Sequence, residues 1–178
     1  MKKIFTVLII FLFAVSAFGQ IQNKFFESEL GVSSFNQVKS NLAKLGFEYH
    51  EDIRDGETMI LIPDCRYQGN HWDGILLRFY KDLFYEILFT RLSEDENQIK
   101  EDFDFFEMTF NIKYADYHMD QQYVVPKESA RRTEMYSDYK GNVILRLEHM
   151  MLNYETLVLT YSHKQISEEM LFEQLRSY

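Results

Sequence analysis

The chain has 178 residues, 46% of them hydrophobic and 16% aromatic, which is ample for a packed core and excludes a disordered chain. Its net charge is −9, and losing Lys2 and Lys3 takes it to −11, so phosphate backbones and anionic lipid heads would repel it. Nucleic acid is therefore not an expected partner.

The chain opens MKKIFTVLIIFLFAVSAFGQ. Lys2 and Lys3 form a basic start, Ile4 to Val15 an apolar stretch, and Ala17-Phe18-Gly19 a small-residue cleavage site. That order is a secretory signal peptide over residues 1–19, cut before Gln20. The apolar run is shorter than the roughly 20 residues of a spanning helix, and no other stretch approaches one. Residues 20–178 are expected to form a single domain, in the periplasm or outside the cell. Cys65 is the only cysteine, so no internal disulfide braces that domain, and it reads as a small buried residue near a strand end.

GVSSFNQVKSNLAKLGF predicts a helix capped by Ser33 or Ser34, with Phe35, Val38, Leu42 and Leu45 on one stripe and Gly46 as its stop. EYHED begins a short strand, Asp55-Gly56 a turn, and TMILIP a buried strand ending at Pro63. DCRYQGNHWDG is expected to be a loop. ILLRFYKDLFYEILFTR then predicts a hairpin about Lys81-Asp82. SEDENQIKEDFDFFEMTFNIKYADY is a longer helix that buries Ile99, Phe103, Phe106 and Phe110, with acids in its first turn as the helix dipole favours. Residues 116–130 read mostly as loop. Three strands follow, turning at Lys140-Gly141 and near Leu152-Asn153, and a short helix from Ser167 closes the chain. The fold class is α+β, an antiparallel sheet backed by helices.

The order of elements suggests two tandem helix-plus-strands units, residues 31–92 and 93–161. Asn36-Gln37-Val38-Lys39 is echoed by Asn97-Gln98-Ile99-Lys100, and Ile75-Leu76-Leu77-Arg78-Phe79 by Val143-Ile144-Leu145-Arg146-Leu147. Tyr85-Glu86 is echoed by Tyr154-Glu155.

Pairing Arg78 with Glu86 across a three-residue turn sorts the hairpin into faces. Ile75, Leu77, Phe79, Tyr85, Ile87 and Phe89 then point inward, while Leu76, Arg78, Tyr80, Phe84, Glu86 and Leu88 point outward. In the second unit Val143, Leu145, Leu147, Tyr154, Thr156 and Val158 point inward, and Ile144, Arg146, Glu148, Glu155, Leu157 and Leu159 outward. The outer Arg–Glu pairs are scaffold, worth about 0.2 to 1 kcal/mol each. An outer face with Tyr80, Phe84, Leu88, Leu157 and Leu159 is more apolar than a solvated sheet needs, so either the loop over residues 116–130 or a partner covers it. Trp72, beside His71 and Asp73 in QGNHWDG, either caps the core edge or is a loop-borne binding residue.

The five histidines have no zinc-ligand spacing, the acidic run from Glu94 to Asp104 lacks the order of a calcium loop, and no nucleophile or phosphate motif occurs. No cofactor, metal or catalytic residue is expected. Leu30-Gly31-Val32-Ser33, Val38, Leu42 and Leu45-Gly46 resemble the Gly-x-Ser/Thr…Val…Leu…Gly opening of the β-lactamase inhibitor protein-like group and its SmpA/OmlA relatives. The resemblance implies a helical element followed by antiparallel strands, sometimes in tandem, with a binding or assembly role outside the cytoplasm. The chain departs from that group in having no lipoprotein Cys after the signal and no paired cysteines. The expected function is an exported protein-interaction module. The alternatives are a carrier of a small apolar ligand in an aromatic cavity between sheet and helices, and a hydrolase using a His and an acid.

Overall fold

The computed structural model describes residues 20–54, 57–119, 130–138 and 140–176. The signal segment 1–19, the Asp55-Gly56 turn and most of the 116–130 loop lie outside the described residues. A short ribbon comes first, β1 (Lys24–Phe25) and β2 (Ser28–Glu29), followed by helix α1 (Phe35–Leu45). Four strands follow: β3 (His50–Arg54), β4 (Glu57–Tyr67), β5 (Asn70–Tyr80) and β6 (Leu83–Ser93). Helix α2 (Glu96–Lys113) and a 3-10 turn (Ala115–Tyr117) lead to β7 (Ala130–Asp138), β8 (Val143–Met151), β9 (Glu155–His163) and helix α3 (Lys164–Arg176). The seven long strands make one antiparallel sheet in the order β3-β4-β5-β6-β9-β8-β7. The fold class is α+β, as the sequence predicts.

Local chemistry sets the helix ends. Ser34 caps α1 through a capping box with Gln37, and Gly46 closes it in the left-handed conformation (φ 76°) that glycine adopts at little cost. Val38 and Leu42 are its buried stripe, while Leu45 is exposed. Asp95 caps α2, which buries Ile99, Phe103, Phe106 and Phe110 against the sheet, the four residues its 3.6-residue period selects. The sheet face under both helices carries Ile60, Ile62, Ile75, Leu77, Ile87, Phe89, Leu145 and Leu147, all buried in one core. Ile21, Phe25 and Phe26 join it from the N-terminal ribbon, and the Asp138 carboxylate accepts the Ile21 N–H at 3.3 Å. Helix α3 begins at Lys164, three residues before the Ser167 start that the sequence suggests.

The expected DCRYQGNHWDG loop is a hairpin. β4 runs on to Tyr67 and β5 starts at Asn70, with Gln68 (φ 50°) and Gly69 (φ 80°) as a two-residue turn of left-handed residues, the type that matches strand twist. Pro63 does not end β4 because β3 pairs no further than Leu61, leaving the other side of β4 free where the proline lacks an N–H.

Candidate functional site

The β5–β6 hairpin decides which side chains reach the outer face. Lys81 (φ 49°) and Asp82 (φ 68°) form its two-residue turn, with Tyr80 opposite Leu83 and Phe79 opposite Phe84. Arg78 then faces Glu86, as predicted, because Tyr85 is an extra, bulged residue. The predicted three-residue turn is thus a two-residue turn followed by a bulge. The bulge exchanges the predicted places of Phe84 and Tyr85. Phe84 is fully buried in the core, its ring 5.7 Å from that of Phe79, and its backbone bonds to Gly31 and Ser33. Tyr85 instead lies beside the Arg78 guanidinium, with its ring centroid 5.5 Å away, and its hydroxyl donates to Glu57 at 3.4 Å.

A second correction concerns β9. Its turn holds three residues, with Met151 opposite Glu155, rather than the two predicted at Leu152-Asn153. One added residue moves a strand's whole side-chain set to the other face. Leu157 and Leu159 therefore enter the core, Leu159 facing Leu147 and Phe89, while Tyr154 is exposed. Glu155 also changes faces and pairs with the buried His149 at 2.8 Å. Arg146 faces Thr160 and reaches Glu148, two residues along its own strand, at 2.9 Å. Trp72 is buried as well, stacked on Phe106 at 5.7 Å with the Arg91 guanidinium 4.9 Å from its ring. Of the six residues expected to bind, Phe84, Leu157, Leu159 and Trp72 belong to the core. Only Tyr80 and Leu88 stand half-buried on the outer face.

The open apolar surface lies elsewhere on that face. Register aligns Leu61, Leu76 and Leu88 in one row across β4, β5 and β6. Leu61 is 41% exposed and Leu76 and Leu88 are half-buried. A groove of about 490 Å³ is walled by Met59, Leu61 and Leu76, floored by Gly74 and Thr90, and rimmed by His50 and Asp52. Gly74 keeps the floor low, since a Cβ there would meet only the Leu61 side chain, at 3.8 Å. On the other half of the outer face Glu148, Thr156, Thr160 and Ser162 are buried, while Ile144, Arg146 and Val158 are half-buried. Met59 and Leu61 escaped the sequence reading because TMILIP looks like a strand buried on both sides.

Beside the groove, Arg78 spans two carboxylates, its Nη1 2.6 Å from Glu86 and its Nε 3.0 Å from Glu57. Burial works against its charge, but Glu86 and Glu57 outweigh it and hold the guanidinium above its ordinary pKa. Burial, with Asp64 next to it, pushes the half-buried Cys65 thiol up, away from the thiolate a nucleophile needs. His71, His118 and His149 are engaged by Asp64, Glu134 and Glu155. Among the described residues no three His, Cys, Asp or Glu side chains converge as a metal site, and no helix is long and apolar enough to cross a membrane. Comparison with protein-family models, curated proteins and solved structures gives no match.

Proposed function

We propose that the chain is an exported, non-catalytic protein-interaction module that docks a partner protein on the outer face of β4, β5 and β6. The groove between Met59, Leu61 and Leu76 carries this reading, because a sheet face open to water ordinarily shows polar residues there. Leu88 continues the apolar row and Tyr80 stands toward the hairpin end of the same face. The Arg78 bridge supplies a rigid, charged border. Export to the periplasm or the exterior rests on the basic and apolar signature of residues 1–19.

The module is read as two duplicated units. Apart from the edge strand β3, the strand order supports that origin, being symmetric about the β6–β9 pair: β4-β5-β6 runs inward from one side and β7-β8-β9 from the other. The Asn-Gln-Val/Ile-Lys echoes open α1 and α2, and both put their apolar residue, Val38 or Ile99, into the core.

A photo-crosslinking residue placed at Leu61 tests the docking face in cells expressing the full precursor. The expected result is one dominant protein adduct from Leu61, absent when the crosslinker sits at Lys44 on α1 and lost when Leu76→Asp is added. Equal adducts from Leu61 and Lys44 would refute the docking face.

A further inference from the structure

On the opposite side of the sheet, under α2, the packing leaves a cavity of about 130 Å³. It is partly open and carries Gln22, Gln68 and Asn70 among its lining, and its volume is close to that of an engineered apolar cavity of about 150 Å³ that takes up benzene. Trp72, Phe89 and Phe106 wall one end, with Trp72 and Phe106 stacked 5.7 Å apart and Trp72 and Phe89 at 5.1 Å. Along α2 the rings of Phe106, Phe110 and Tyr114 follow one another at 5.8 and 5.9 Å, toward the end of the helix. Tyr161 lines the cavity from β9.

Two features distinguish this hollow from a packing defect. Tyr114 and Tyr161 are only 2% and 5% exposed, yet neither hydroxyl makes a hydrogen bond with any described residue. Neither hydroxyl is sealed, the sealed atoms without a hydrogen bond among the described residues being Arg146 Nε and Thr160 Oγ1, so each keeps open surface for a partner. Burial, with the Tyr114 and Tyr67 phenols close by, pushes the Tyr161 hydroxyl far up, so it stays a donor. The second feature is Lys113, which also lines the cavity and holds its ammonium 5.0 Å from the Tyr114 ring centre. It makes no ion pair with a described residue, in a chain whose net charge is −9. Two phenol donors and a cation thus share the lining with the rings, Tyr161 lying 6.3 Å from Phe89 and Lys113 against Tyr114.

We infer that this cavity binds a small aromatic carboxylic acid of benzoate size. The ring lies between Trp72, Phe89 and Phe106, where edge and face contacts with aromatic side chains are available. The carboxylate accepts from the hydroxyls of Tyr114 and Tyr161 and pairs with Lys113. The site is separate from the docking face, which lies across the sheet, and either stands if the other fails.

Titration of 4-fluorobenzoate against the mature chain, followed by its fluorine resonance, tests the inference, with fluorobenzene as the probe lacking a carboxylate. A saturable shift is expected for the acid, with fluorobenzene binding more weakly. Tyr161→Phe keeps the ring and Lys113→Met keeps the stem on an exposed position, so both variants should fold as the parent does. Each should weaken 4-fluorobenzoate about tenfold, the loss expected for a hydrogen bond or ion pair to a charged group, while Lys44→Met on α1 changes nothing. No saturable shift, meaning a cavity filled by water alone, overturns the inference. So does saturation that Tyr161→Phe or Lys113→Met leaves unchanged.

Discussion

Arg78 joins β4, β5 and β6 through its side chain, because Glu57 and Glu86 sit on the strands flanking its own. Their side chains are 12% exposed, so the three charges are not an ordinary surface pair. Removing the arginine leaves two half-desolvated carboxylates facing each other and strips the guanidinium from the Tyr85 ring. Arg78→Met is therefore expected to cost about 2 kcal/mol, between the cost for a surface pair and that for a fully buried one. Urea unfolding of the two proteins side by side measures it. A loss below about 0.5 kcal/mol would mean that water screens the bridge as it does an exposed pair. The Arg78–Glu86 pairing is visible in the sequence, since both residues interrupt apolar runs at hairpin distance. Glu57 is not, because it precedes a strand whose partner side cannot be known before the sheet is assembled.

At the scale of elements, what was legible is what periodicity records. Val38 and Leu42 of the α1 stripe, a cap at one of Ser33 and Ser34, the Gly46 stop and the α2 residues facing the core follow from spacing and short-range chemistry, whereas Leu45, expected on the stripe, is exposed. What was not legible is parity. Phe84 and Tyr85 are both large and aromatic, so an inserted bulge leaves the apolar pattern intact while exchanging their faces. Likewise Leu152, Asn153 and Tyr154 allow a turn of two or three residues, and only the longer one buries Leu157 and Leu159. The polar residues Thr156 and Thr160 on the opposite side are consistent with the longer turn, a signal that the alternating leucines masked. Phe84→Ala separates the two parities. With Phe84 fully buried against Phe79 and next to the Gly31–Ser33 segment, the substitution is expected to cost about 3 to 5 kcal/mol and lower the melting temperature sharply. Leu61→Ser, on the open groove, should stay within about 1 kcal/mol of the parent. A Phe84→Ala protein that melts like Leu61→Ser would return Phe84 to the outer face.

At the scale of the whole molecule, the central seam is the β6–β9 pair, running from Glu86 opposite Ser162 to Ser93 opposite Glu155. Its inner side places Phe89 against Leu159 and Ile87 against Tyr161, and α2 crosses it, touching β6 on one side and β8 and β9 on the other. Cutting a chain of residues 20–178 after Ser93 would give residues 20–93 and 94–178, each with its innermost strand turned into a bare edge. Such an edge exposes unpaired backbone N–H and C=O groups together with half of a hydrophobic core. Neither fragment is expected to give a cooperative melt alone, and the C-terminal one should aggregate, because α2 would have lost the β6 part of its bed. Mixed together, the two should recover a single cooperative transition and a 1:1 complex by sedimentation. The seam then behaves as the interface between two halves that fold on each other. A fragment that melts cooperatively on its own would place the stability within that half and make the seam a contact between independent domains.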